Sequence, residues 1–231
     1  MLSAAMAAME YLRAKEIRVV IVTGRPAGWC DHIARMWPVD GIVGENGAFY
    51  FRYDNSERKM IRRYWKSKKN REKDRNSLEL LKTQILNQVP GCKVSADQIY
   101  RDADLAIDFC EDVPRLSLDA VEKIVHLFEQ SGARAKISSI HVNGWFGDYD
   151  KLSMTRKMFK EIFEVNLDQI KNQVMYFGDS PNDAPMFEFF AHSVAVANLR
   201  KFEHLINTKP RWITEKEGGY GFAEMVDYLL A

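Results

Sequence analysis

Four consecutive aliphatic residues, Val19-Val20-Ile21-Val22, run directly into Thr23-Gly24-Arg25-Pro26. A strand with one face in water alternates apolar and polar side chains. One that is apolar on both faces is covered on both, as inside a parallel sheet. Residues 17–22 therefore read as a buried parallel strand, and such a strand demands helices above and below it. A helix over 27–36 and a short strand over 41–43 complete a βαβ unit. The same grammar returns in the last third. A helix over 152–163 carries Met154, Met158, Phe159 and Ile162 on one face. A strand over 174–177, a helix over 184–190, a strand over 193–196, another helix and Trp212-Ile213 follow. The pattern predicts a doubly wound, Rossmann-like α/β core.

The middle of the chain follows a different pattern. Leu105, Ile107 and Phe109 alternate with Asp104, Ala106 and Asp108, which predicts a half-buried antiparallel strand. Ser77 and Ser117 are placed as caps of two helices, and Ile137, Ile140 and Val142 mark another strand. An α+β module over 66–142 is thus expected inside a core made of 1–65 and 143–231. One feature breaks the pattern. A helix over 4–15, with Ser3 as its cap, has no strand ahead of it, although a right-handed crossover needs one. The first core strand is not found in the sequence.

Composition narrows the functional classes. Among 231 residues, 46% hydrophobic and 28% charged are ordinary fractions for a globular protein, and a net charge of +1 points neither to nucleic acid nor to a membrane surface. No apolar run nears the ~20 residues of a membrane helix. Met1-Leu2-Ser3 opens without a basic segment before an apolar stretch, so no signal peptide is read there. Cys30, Cys92 and Cys110 are too widely spaced for a zinc or disulfide framework, which fits a reducing, cytoplasmic setting.

Three segments could carry chemistry. Gly178-Asp179-Ser180-Pro181-Asn182-Asp183 follows a buried strand and opens a helix, at the carboxyl end of the sheet where open α/β folds bind ligands. Asp179 and Asp183 can face one point across that turn, as hard oxygen ligands for Mg²⁺. Asp also caps helices and favours their positive ends, so for this motif alone the two readings stand level. Thr23, with Gly24 after it, ends another buried strand, where a hydroxyl and free backbone N–H groups suit a phosphoryl oxygen. Taken alone, Thr-Gly is more often turn chemistry. Lys151 sits at a helix start, where the helix dipole disfavours a cation. That placement hints at a nearby anion, although a lone surface lysine is the commoner case.

Together these segments are far more specific. Val22-Thr23-Gly24-Arg25, Lys151 and Gly178–Asp183 resemble, in order, the second, third and fourth motifs of the haloacid dehalogenase superfamily. Gly44-Glu45-Asn46-Gly47-Ala48 and the insert resemble the subgroup with a large α+β cap, which includes Cof-type, phosphomannomutase-like and sucrose-phosphatase-like members. The resemblance implies a Mg²⁺-dependent phosphatase acting on a small phosphorylated metabolite, a sugar phosphate in class, through an aspartyl-phosphate. It implies that Thr23 and Lys151 are catalytic, with Thr23 binding phosphate and Lys151 bridging nucleophile and phosphate. Asp179 would ligate the metal and Asp183 would support its shell, while Gly24, Arg25, Asn46 and Asn182 would face substrate.

The first motif, DxDGT, is not in the sequence. One strand and two aspartates are expected upstream of Met1, and the 231 residues alone are expected to be inactive. A non-catalytic relative that binds phosphorylated ligands and a chain complemented by another polypeptide are the other two readings. A receiver domain also uses Asp, Thr and Lys, but the long separation of Thr23 from Lys151 argues against that compact fold.

Other features receive plainer readings. The basic run from Arg58 to Arg75 reads as a solvated cap segment or a positive rim, not as a nucleic-acid site. Tyr64 and Trp65 read as packing residues. Asn143 lies in the cleft or in a turn, His141 and His192 are structural, and residues 217–221 form a flexible loop before the last helix.

Overall fold

The structure is a computed structural model describing residues 2–206 and 208–231, and the side chains of all of these but 202–205. Met1 of the N-terminal reading lies outside the described residues. In chain order the first elements are α1 (Ser3–Ala14), β1 (Val20–Val22), α2 (Ala27–Met36) and β2 (Gly41–Gly44). The hairpin β3 (Phe49–Asp54) and β4 (Lys59–Tyr64) follows, then α3 (Lys68–Gln88), β5 (Lys93–Val94), β6 (Leu105–Asp108) and α4 (Leu118–Gln130). Next come β7 (Arg134–Ile137), β8 (His141–Trp145), α5 (Lys151–Ile162) and α6 (Leu167–Ile170). The chain closes with β9 (Met175–Gly178), α7 (Ala184–Phe189), β10 (His192–Ala195), a 3₁₀ stretch (Ala197–Leu205), β11 (Trp212–Ile213) and α8 (Gly218–Leu230).

These strands form three sheets, in the orders β1-β2-β3-β4, β11-β10-β9 and β5-β6-β8-β7. The pairs β1–β2, β9–β10 and β10–β11 are parallel, as the βαβ grammar predicts. The sheet of the insert is wholly antiparallel. The parallel core is therefore present as two half-sheets, and β1 and β9 each lie at an edge of theirs.

Helices tie the halves together. On one face, α5 buries Met154 and Met158 against Val20, Val22 and Val43, while Leu152 and Phe159 pack into the cluster of Tyr176, Met186 and Phe187. On the other, α1 and α8 pair through Ala8, Leu12 and Val226, which meet Val19. Phe222 of α8 also makes an edge contact with Phe177 of β9 at 5.0 Å. The insert has its own core, with Leu81, Ile85, Ile124 and Phe128 packed on Ile107 and Val142.

Several expectations change. Ser3 is the first helical residue of α1 and Leu2 precedes it with no side-chain cap. Ser77 lies inside α3, whose cap is Ser67, accepting from the Asn70 N–H. The first half of α3 is polar all round, so it carries no apolar period to read. Residues 137–142 are not one strand: Ile137 ends β7, residues 138–140 turn, and His141 and Val142 begin β8, which carries the insert's sheet past residue 142. β6 is buried on both faces because Asp104 and Asp108 are engaged in hydrogen bonds. Residues 218–221 are the first turn of α8 and not a loop.

Candidate active site

The site forms where β1, β9 and α5 bring their ends together. The turn after β2 sets this up. Glu45 and Asn46 adopt left-handed backbone, with Gly47 at φ 107°. A Cβ on Gly47 would overlap the Asp150 carbonyl, so only glycine lets this turn abut the start of α5. On its other side, the Asn46 N–H donates to the Thr23 carbonyl at 3.2 Å. The Asp150 side chain caps α5 by accepting from the Ser153 N–H at 2.7 Å, which leaves Lys151 in the first turn.

Lys151 meets its anion across the site. Its Nζ donates to Asp183 Oδ1 at 2.7 Å. The Tyr176 hydroxyl donates to the same oxygen at 2.8 Å. Asp183 Oδ2 accepts the Asp179 N–H at 3.0 Å and the Ser180 N–H at 3.3 Å, and Ser180 forms a reciprocal capping box with it. The helix-capping reading thus holds for Asp183. Its carboxylate is buried and both its oxygens are engaged. Asp179 differs, since its side chain is exposed to the cavity between the half-sheets.

The two carboxyls have opposite electrostatics. Burial alone would raise the Asp183 pKa, but the Lys151 ammonium and the hydrogen bonds from Lys151, Asp179 and Tyr176 outweigh it and hold it below the ordinary value. Asp179 is raised, first by desolvation and then by the charge of Asp183. Tyr176 is pushed well up by burial and by Asp183, so it stays a proton donor at neutral pH.

Thr23 stands on the other half-sheet. Its N–H donates to Val43 at 2.9 Å and its Oγ1 accepts the Arg25 N–H at 3.1 Å. Thr23, Gly24, Arg25, Asn46, Lys151, Asp179, Asn182 and Asp183 all line one cavity of about 1520 Å³. Arg25 is exposed there, 3.8 Å from Asp97 and over the Trp29 ring. Asn143 of the insert lines the same cavity and donates to Asp104 at 3.0 Å. His141, also lining it, is buried, with Nε2 2.9 Å from the Glu111 carboxylate.

Sequence reading missed the groups that hold this arrangement. Tyr176 lies unremarked within the strand over 174–177, although a buried phenol needs a partner. Buried Glu45 accepts the N–H groups of Ala27, Asp102, Ala103 and Asp104, which ties the Thr23 loop to the insert. Arg101 adds a bond to the Gly24 carbonyl at 3.1 Å. The basic run does not reach the site. Arg62 pairs with Asp31 and Lys66 with Asp74, Arg71 lies over Tyr64, and no residue of 58–75 lines the cavity.

The family profile described as haloacid dehalogenase-like hydrolase matches residues 3–100 and 163–216, which contain Thr23, Asp179 and Asp183. The chain belongs to that family. Solved structures share its fold. A Thermoplasma acidophilum protein aligns at TM-score 0.72 and 16% identity, covering 100% of this chain and 90% of its own. A sucrose-phosphatase from Synechocystis sp. PCC6803, solved with sucrose and phosphate, aligns at 0.67 and 15%, covering 97% and 90%. A sugar phosphatase of haloacid dehalogenase subclass IIB aligns at 0.64 and 13%, covering 99% and 92%. No curated protein sequence matches the chain.

Among the described residues no group of three or more His, Cys, Asp or Glu could hold a metal. Mg²⁺ does not require such a cage, because it keeps waters and binds through one or two carboxylates plus substrate phosphate. Asp179 offers one such carboxylate, and its ionised form, disfavoured first by desolvation and then by the charge of Asp183, is what a cation would stabilise. The donor set fits that ion.

Proposed function

We propose that this hydrolase is a Mg²⁺-dependent phosphatase of small phosphorylated metabolites, with sugar phosphates as the substrate class. The observation that carries this reading is a carboxylate exposed to a cavity at the ends of parallel strands, opposite a lysine and a threonine that retain free donors. Thr23 Oγ1 accepts from Arg25, so its own proton is left for a phosphoryl oxygen. Lys151 spends one of three N–H donors on Asp183, and the others are left for the phosphoryl group. Asp183 orients Lys151 and the Asp179 backbone. Asp179 would hold Mg²⁺, with Asp183 supporting that shell from behind, and the bound ion would offset charge on the phosphoryl oxygens. Gly24, Arg25, Asn46 and Asn182 would contact the substrate.

The attacking carboxylate of an aspartyl-phosphate route is not in this cluster, because its two acids are already used. That observation favours a second reading, a relative that binds a phosphorylated ligand without turnover. The assay is phosphate release from p-nitrophenyl phosphate by the chain extended ahead of α1 with an apolar strand ending in Asp-x-Asp. Mg²⁺-dependent release that Asp179→Ala abolishes is expected, and full activity in that variant removes Asp179 from the site.

A further inference from the structure

Glu45 is wholly enclosed, and its side chain binds in two directions. Oε1 accepts the N–H of Ala27, at the start of α2, and the N–H of Asp102, in the insert, each at 2.9 Å. Oε2 accepts the N–H groups of Ala103 at 2.6 Å and Asp104 at 3.2 Å. The Glu45 N–H itself donates to the Arg25 carbonyl at 3.2 Å. One residue therefore holds the loop over 23–27 on one side and the insert's loop over 102–104 on the other. Arg101 makes the second grip. Its guanidinium donates to the Gly24 carbonyl at 3.1 Å, to Asp97 at 3.0 Å and to Asp104 at 2.9 Å. Asp97 in turn lies 3.8 Å from Arg25.

The charges at this junction do not balance. Glu45 and Asp104 are both buried, and the buried cation facing them, Arg101, also serves Asp97. The other groups facing Glu45 bring no positive charge: Cys30 of α2, Tyr64 of β4 and Tyr149 ahead of α5. The Asp102 carboxylate is turned away, accepting the Tyr64 hydroxyl at 2.5 Å and lying 3.9 Å from Arg75. A buried acid with no cation of its own holds a proton more readily than it holds a charge. The backbone N–H groups favour ionised Glu45, but desolvation, and then the charge of Asp104, outweigh them and push its pKa up to about 8.

We propose that Glu45 is a proton-operated clasp that sets whether the insert is seated on the loop over 23–27. Neutral Glu45 lets the two surfaces close over it. On losing its proton it becomes a second buried anion beside Asp104, and the loop over 102–104 lifts so that water reaches both acids. Lifting withdraws Arg101 from the Gly24 carbonyl and Asp97 from Arg25, which frees the Arg25 guanidinium at the site cavity. The seated state holds the proton more tightly than a lifted one with an ordinary carboxyl. Seating is therefore favoured below the ordinary carboxylate value and is lost as pH rises through about 8. The clasp rests on this junction alone and stands whether or not the site turns a phosphate over.

The test is hydrogen exchange of the full chain, read amide by amide from about pH 5 to about pH 9 and corrected for the intrinsic pH dependence of exchange. Opening at Ala27, Asp102, Ala103 and Asp104 should rise about tenfold or more over that range, while the amides of Ile107 and Val142 inside the insert's sheet stay unchanged. Glu45→Gln has no proton to lose there and should make the four amides insensitive to pH. Asp104→Asn removes the neighbouring charge and should move the midpoint of opening to lower pH. Exchange at the four amides that is flat with pH in the unsubstituted chain overturns the clasp. So does a pH dependence that survives in Glu45→Gln, a midpoint that Asp104→Asn leaves in place, or opening that spreads equally to Ile107 and Val142.

Discussion

Asp179 and Asp183 belong to one short turn, yet the fold treats them oppositely. Asp183 is a buried anion that accepts from Lys151, Tyr176, Asp179 and Ser180, and removing it strands the Lys151 ammonium. Asp183→Ala should cost on the order of 3 kcal/mol, measured by denaturant unfolding. Its pKa is lowered, so its stabilisation is complete above the ordinary carboxylate value and fades as pH falls through the folded value. Asp179 carries the reverse sign. Its raised pKa means that ionisation opposes folding above the ordinary carboxylate value. Asp179→Asn should therefore raise the melting temperature at pH 7 in metal-free buffer, with the gain vanishing below about pH 4. A melting temperature that falls instead would contradict the assignment of Asp179 as the strained, open carboxyl. The pair was legible in the sequence as a motif. Its division of labour was not, because which carboxyl turns inward depends on Tyr176 and Lys151, distant in sequence or hidden in an apolar strand.

At the scale of elements, the site depends on the turn after β2 more than on any strand. Gly47 must be glycine twice over, once for φ 107° and once for its contact with Asp150. Gly47→Ala should destabilise by roughly 1–3 kcal/mol and displace Lys151, which calorimetry and, in the chain extended ahead of α1, the loss of phosphate release would show together. Glu45→Ala leaves four N–H groups, two of them buried, without their acceptor and should cost about 1–3 kcal/mol. Elements with apolar periodicity were readable, as α2 and the β9 turn show. Those that were not lacked a period, as in the Lys/Arg-rich first half of α3, or were broken by polar residues, as in the β7–β8 hairpin. Ser67 and Ser77 offer the same cap chemistry, and only tertiary packing chose between them.

Across the whole molecule, a doubly wound core appears as two half-sheets, one mixed and one wholly parallel, joined by helices rather than by strand pairing. The βαβ grammar of both half-sheets was legible in the sequence, and β1 and β9 each form an edge. What the sequence could not show is that α5, α1 and α8 hold both halves in place around those edges. The amides of β1 and β9 facing the cavity should accordingly exchange faster than those of β2 and β10, which hydrogen-exchange mass spectrometry would resolve. No helix among the described residues is long and apolar enough to cross a membrane. On the proposed function, Thr23, Lys151 and Asp179 form one phosphate and Mg²⁺ site. A crystal structure of the chain grown with Mg²⁺ and inorganic phosphate tests it most directly. Phosphate is expected between Thr23 Oγ1 and Lys151 Nζ, with Mg²⁺ on the Asp179 carboxylate. Phosphate held instead by the basic residues of 58–75, with Asp179 free of metal, would contradict it.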